Sequence, residues 1–154
     1  GAFRLLSRAH PEVDLVLVGP AGWGDDSQEQ RLVADLGGRV HVLGRLGDAD
    51  LAAAYRGARA FVFPSLWEGF GLPVLEAMAY GTPVVTSRGT CMEEVCGRAG
   101  LLAEATDPEE IAARLGDAVG PAHDELAQAG LERAATFTWE ACAAAHAEVY
   151  ASLV

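Results

Sequence analysis

Short apolar segments alternate with helical patterns along the chain, and this alternation limits the fold more than any other feature of the sequence. Five apolar runs are typical of strands because they are short, rich in β-branched residues, and bounded by turn-forming residues. The predicted strands span residues 15–18, 40–43, 60–63, 84–86 and 100–102. The predicted helices span residues 27–36, 48–56, 72–80, 107–119, 123–136 and 139–152. Such alternation favours an α/β fold, in which helices cover both faces of a parallel sheet.

The 154 residues have the length of one domain, so we treat residues 1–154 as a single unit. Several helix starts have side chains that can cap free backbone amides. Asp107 precedes a proline at the first helical position, and Asp48 and Thr138 are also predicted N-caps.

Composition excludes several classes of function. The net charge is −11, and no basic run is present, which argues against nucleic acid and an anionic bilayer as partners. No stretch approaches the ~18 apolar residues that a membrane span requires, and no signal peptide is visible. Three cysteines without CxxC spacing predict reduced thiols and a cytoplasmic protein. Four scattered histidines give no spacing typical of a metal site.

Residues 60–83 join a predicted buried strand to a helix through a glycine-rich loop. Pro64 ends the strand, Pro73 suits the first turn of the helix, and Gly81 suits a left-handed cap behind it. This arrangement predicts Glu68 in the loop and Glu76 in the first helical turn.

The glycine-rich loop has the features of an anion site. The segment Gly69-Phe70-Gly71 lets backbone amides approach a ligand at a helix N-terminus, where negative charge is favoured. A carboxylate accepts two hydrogen bonds and so matches a pair of hydroxyls. Glu68 and Glu76 beside a phosphate therefore indicate a sugar nucleotide. The alternative is purely structural, since acids near helix starts and glycine-rich turns are common in α/β domains.

Two glutamates separated by seven residues, in this context, resemble the donor-binding signature of the retaining glycosyltransferases with the GT-B fold. This large group includes many bacterial mannosyl- and glucosyltransferases. The likeness covers nearly the whole chain in order and spacing. Further similar segments are residues 15–19, 40–46, 51–63, 90–102 and 137–140. The resemblance implies a Rossmann-like domain that forms one half of a GT-B fold.

The resemblance also implies roles for individual residues. Glu76 would hold the ribose hydroxyls of the nucleotide, and Glu68 would contact hydroxyls of the transferred sugar and orient it. The amides of Phe70, Gly71 and Leu72 would face the diphosphate, beside the turn that begins at Gly69.

Other donor contacts are predicted at the ends of neighbouring strands. Arg45 and Leu46 would lie along the nucleobase, and the loop that begins at Gly19 should share the edge of the domain with Glu68. Trp23 in that loop could stack on a base or pack over apolar surface. Arg88 offers positive charge for the donor, or forms a surface ion pair with a neighbouring acid.

The activity implied by the resemblance is transfer of a hexose from a nucleoside diphosphate sugar to an acceptor hydroxyl, with retention. No cofactor and no metal are expected. Members of this family begin the domain with a central strand and two basic residues that this chain lacks. We therefore expect the first strand and the amino-terminal acceptor domain to be missing, and the chain alone to be inactive. Apolar surface on helix 139–152 could then promote self-association.

The sequence is also compatible with two alternatives. A nucleotide-sugar epimerase-like domain of similar fold would bind the same kind of ligand, and a non-catalytic interaction module would bind none. The sequence leaves open the nucleotide, which is UDP, GDP or ADP, as well as the sugar and the acceptor.

Overall fold

The computed structural model describes residues 1–20 and 27–153 of the chain. The strands are β1 (Leu15–Val18), β2 (Val40–Gly44), β3 (Phe61–Phe63), β4 (Val84–Ser87) and β5 (Gly100–Ala103). The first helices are α1 (Ala2–Ala9), α2 (Ser27–Leu36), α3 (Asp48–Gly57) and α4 (Leu72–Ala79). They are followed by α5 (Cys91–Cys96), α6 (Pro108–Val119), α7 (His123–Ala134) and α8 (Trp139–Ser152). The prediction of alternating strands and helices is confirmed, with element ends displaced by one or two residues.

All strand pairs in the described residues are parallel. β1 pairs with β2, while β4 lies between β3 and β5, so the described strands form a two-stranded and a three-stranded sheet. Every residue of β4 is buried, as expected for the centre of a sheet with both faces covered. The predicted α/β fold class, with parallel strands and helices on both faces, is confirmed.

Helices cover both faces of the β3–β5 sheet. On one face Val84 of β4 packs with Met78 of α4 and Met92 of α5, all three fully buried. On the other face Val85 packs with Phe3 of α1 and other residues of α1 and α6. Neighbouring residues of β4 point to opposite faces, because side chains alternate along a strand. The result is a three-layer arrangement with a core on each side.

The two sheets share the core on the α1 and α6 side. Leu15 and Leu17 of β1 pack against the same buried cluster as Val62 of β3. Both sheets therefore present the same face to one layer of helices, although no strand pairing joins them in the described residues.

Two of the three predicted helix caps are confirmed. The Asp107 carboxylate accepts hydrogen bonds from the first amides of α6, and the Thr138 hydroxyl accepts one from Ala141 in α8. The prediction for Asp48 is wrong, because Gly47 takes the extended cap conformation and Asp48 is the first residue of α3. Its carboxylate instead meets the positive end of the helix dipole.

Helix α8 contributes no buried residue, and Trp139 at its start is 86% exposed. Within the described residues, no helix combines the length and the apolar character needed to cross a bilayer.

Candidate functional site

The loop between β3 and α4 is shaped by Gly71, which caps the helix in the left-handed conformation with φ +87°. A Cβ atom at this position would lie 2.5 Å from Cγ of Met92 in α5. Both the backbone angle and the close contact therefore require glycine. Gly81 behind α4 also has positive φ, and Pro73 lies in the first turn, so both predictions for these residues are confirmed.

The start of α4 presents a group of backbone amides. None of the amides of Phe70, Gly71 and Leu72 donates a hydrogen bond to another residue that the structure describes. Amides without acceptors at a helix start carry the positive end of the helix dipole. This part of the loop can therefore bind an anion through its backbone.

Glu76 lies on an exposed part of α4. The prediction that it lies in the first helical turn is wrong, because α4 begins at Leu72 and no acid occupies that turn. Glu76 is in the second turn of α4. Its Oε2 atom accepts a hydrogen bond of 3.1 Å from the hydroxyl of Tyr55 in α3.

Tyr55 is a residue of this site that the sequence pattern did not indicate. Its side chain is buried, and this burial, followed by the negative charge of Glu76, raises the pKa of the Tyr55 hydroxyl. The hydroxyl therefore stays protonated and acts as a donor. An apolar face on α3 was a sign that Tyr55 points inward, but its partner is 21 residues away in the sequence.

Glu68 is half-buried in the loop that follows β3. Its backbone oxygen accepts a hydrogen bond from Sγ of Cys91 at 3.3 Å, which ties the loop to the start of α5. Its carboxylate makes no hydrogen bond or ion pair with the described residues. A cleft of about 220 Å³ lies here, lined by Leu66, Trp67, Glu68, Gly89, Thr90 and Cys91. Glu68 therefore faces open space, while Glu76 lies outside the lining of this cleft.

Arg88 forms an ion pair on the surface. Its guanidinium donates to the Glu110 carboxylate at 2.6 Å, and Glu110 also accepts from the amide of Glu104. The hydrogen bond that Arg88 donates to the Glu110 carboxylate raises the pKa of Arg88. Of the two alternatives for Arg88, the structure contains the ion pair.

The predicted contacts on β1 and β2 lie in adjacent turns. The amide of Gly19 donates to the carbonyl oxygen of Gly44 at 2.9 Å, so the carboxyl ends of both strands meet. Arg45 is exposed and Leu46 is half-buried in the turn that follows. Trp23 and its predicted stacking lie outside the described residues.

An aromatic contact joins the glycine-rich loop to the segment between α7 and α8. The rings of Phe70 and Phe137 meet edge to face, with centroids 6.0 Å apart. Arg133 lies 4.7 Å from the Phe137 ring centroid and donates to the backbone oxygens of Val95 and Glu94 in α5. The loop is thereby connected to α5 and α7, a connection that no sequence pattern indicated.

Comparison with known proteins places this fold in one class. The chain is similar to a sucrose-phosphate synthase from Thermosynechococcus elongatus, with a TM-score of 0.81 and 30% identity. The match covers 99% of this chain and 41% of that one. The domain is thus a Rossmann-like half of a GT-B glycosyltransferase fold.

Residues 1–120 match the family model described as glycosyl transferases group 1, and the chain belongs to this family. It is 44% identical to the O-antigen chain mannosyltransferase B of Escherichia coli over 133 residues, which is 83% of this chain and 34% of that protein. It is 39% identical to an MMP alpha-(1->4)-mannosyltransferase of Mycolicibacterium hassiacum over 79% of this chain and 31% of that protein. The chain spans about a third of the length of these two relatives.

Proposed function

We propose that this domain binds a nucleoside diphosphate sugar as the donor of a glycosyltransferase. The observation that carries the proposal is the group of three amides without acceptors at the start of α4, flanked along the chain by two glutamates. Neither an anion site nor a carboxylate alone would select a sugar nucleotide. Together they match a diphosphate with a sugar on each side.

The amides of Phe70, Gly71 and Leu72 bind the diphosphate in this proposal. Gly69 and Gly71 allow the backbone to come close to the phosphate oxygens, which a Cβ atom would obstruct. As the bond to the sugar breaks, negative charge grows on the departing diphosphate. Amides already directed at that charge stabilise it without reorganisation, as in an oxyanion hole.

The two carboxylates bind hydroxyl groups. Glu76, with one oxygen held by Tyr55, accepts from the ribose hydroxyls, and Glu68 accepts from hydroxyls of the transferred sugar. Glu68 acts by orienting the sugar and not as a nucleophile. Its half-buried position beside an open cleft supports this role, because a sugar could enter the cleft without displacing neighbouring side chains.

The nucleobase lies along Arg45 and Leu46, near Gly19. The hydrogen bond between the turns after β1 and β2 supports one continuous surface for the base. Arg88 is the weakest of the proposed donor contacts, because the carboxylate of Glu110 already neutralises its charge.

We further propose that the whole enzyme transfers a hexose to an acceptor hydroxyl with retention, and that it requires neither a metal nor another cofactor. An amino-terminal acceptor domain would complete the cleft, so the domain alone would be inactive. The named activities of the relatives, which are mannosyltransferases, support a hexose.

The sheets support a further strand in the complete domain. In the described residues β1 pairs only with β2, and β3 pairs only with β4, while both sheets pack against the same helical layer. One parallel strand between β1 and β3 would join them into one continuous sheet, and this would be the first strand that the resemblance leads us to expect in the family.

Family membership favours the transferase over the epimerase-like alternative, because the matched family consists of glycosyltransferases. The non-catalytic interaction module differs from both in one measurable respect. An interaction module of this kind would bind no nucleotide.

Calorimetric titration of the chain with UDP, GDP and ADP, and with their glucose and mannose conjugates, tests the proposal. We expect one nucleotide series to bind, and Glu76→Ala to weaken that binding. Glu148→Ala is the matched control, because Glu148 is an exposed acid on α8, which contributes no buried residue. Absence of binding by a folded sample, or equal loss in both variants, would contradict the proposal.

A further inference from the structure

Tyr55 and Glu76 form a contact between two helices that the donor-site assignment does not include. The hydroxyl of Tyr55 in α3 donates to Oε2 of Glu76 in α4 at 3.1 Å. Among the described residues, Tyr55 is the hydrogen-bond partner of the Glu76 side chain. It joins a side chain that is 7% exposed to one on the surface of the domain.

The Tyr55 side chain has little freedom to move. Its ring meets Phe61 edge to face at 5.4 Å and stacks on Tyr80 at 5.9 Å between centroids. Its backbone oxygen accepts a hydrogen bond of 2.6 Å from the buried hydroxyl of Thr82. The hydroxyl of Tyr55 is therefore a donor at a fixed place, while Glu76 alone could adopt several rotamers.

We propose that Tyr55 is a positioning residue for the nucleotide, which acts by holding the Glu76 carboxylate ready to accept the two ribose hydroxyls. A carboxylate has about four acceptor positions, so one bond from Tyr55 leaves enough for a pair of hydroxyls. Fixing the rotamer before binding removes the entropy that ligand binding would otherwise cost. The inference rests on the proposed function of Glu76.

The protonation state of Tyr55 agrees with this role. Burial and the neighbouring carboxylate both raise the pKa of its hydroxyl, so it remains a donor throughout the neutral range. The neutral phenol therefore donates to one acceptor position of the Glu76 carboxylate and leaves the other positions to the ribose hydroxyls.

Tyr55→Phe tests the inference, because it removes the hydroxyl and keeps the ring that packs on Phe61 and Tyr80. Tyr80→Phe is the matched control, since it removes a hydroxyl from the same aromatic stack without touching Glu76. Affinity would be measured by calorimetry for the nucleoside diphosphate that binds the unsubstituted chain and for its 2′,3′-dideoxy analogue. We expect Tyr55→Phe to bind the ribose form about 10-fold more weakly.

The dideoxy analogue separates positioning from general structural support. It lacks the hydroxyls that Glu76 would accept from, so Tyr55→Phe should leave its affinity within about 2-fold of the unsubstituted chain. Equal weakening for both ligands, or the same effect from Tyr80→Phe, would overturn the inference. If Glu76→Ala weakens ribose binding and Tyr55→Phe does not, the proposed function stands and the role of Tyr55 is wrong. If the unsubstituted chain binds no nucleotide, both fail.

Discussion

Replacement of Gly71 by alanine gives a direct test of the loop that leads into α4. The backbone angle of φ +87° costs an L-residue about 1–2 kcal/mol. The new Cβ would also lie 2.5 Å from Cγ of the fully buried Met92, and such overpacking costs about 1–3 kcal/mol. We expect Gly71→Ala to lower the free energy of unfolding by about 3.5 kcal/mol, the middle of the combined range.

Gly89→Ala separates the two contributions. Gly89 has a similar φ of +72°, but nothing lies within 4 Å of a Cβ atom built there. This control should therefore show the backbone cost alone, about 1–2 kcal/mol. At roughly 2–4 °C per kcal/mol for a domain of this size, the loss of about 3.5 kcal/mol in Gly71→Ala should lower the melting temperature by about 7–14 °C.

Urea denaturation and thermal melting of both variants are the assays. Equal destabilisation by Gly71→Ala and Gly89→Ala would refute the claim that Met92 limits the space at the loop. A near-normal stability of Gly71→Ala would refute the left-handed cap itself.

Three other outcomes concern charge, the loop connection and α8. The hydrogen bond from Arg88, and then the amide of Glu104, hold the pKa of Glu110 below its ordinary value of 4.5. The resulting stability is present above pH 4.5 and is lost as the pH falls through the lower folded-state pKa. Glu110→Gln should therefore lower the melting temperature near about pH 7 and not near about pH 2, and an equal effect at both would contradict this. Arg133→Gln removes two hydrogen bonds to α5 carbonyls and should lower the free energy of unfolding in urea by about 1–3 kcal/mol, so an unchanged value would argue against them. Exposed apolar side chains on α8 should make the mass from light scattering rise with concentration, and a constant monomer mass would exclude self-association.

Local sequence signals predicted most of the secondary structure. Pro73 and Gly81 determine where α4 begins and ends, because their backbone preferences need no tertiary partner. The Asp107 and Thr138 caps were predictable for the same reason, since each bonds amides two or three residues away. Asp48 failed as a cap because Gly47 can adopt the same extended conformation one residue earlier.

Contacts between distant segments could not be read from the sequence. The bond from Tyr55 to Glu76 joins two helices whose separation depends on how both pack against β3 and β4. The ion pair of Arg88 with Glu110 spans 22 residues, so the sequence could offer only the choice between a donor contact and a surface pair. The two acids and the glycine-rich turn were visible in the sequence, while their supporting contacts were not.

The most direct test of the central claim is an amide NMR titration with the nucleoside diphosphates UDP, GDP and ADP. If the start of α4 binds the diphosphate, the resonances of Phe70, Gly71 and Leu72 should shift most and saturate with one nucleotide. The amides of Glu109 and Glu110 at the start of α6 serve as an internal control, because Asp107 already accepts their hydrogen bonds. Unchanged loop resonances at saturating nucleotide, or equal shifts at both helix starts, would contradict the donor site.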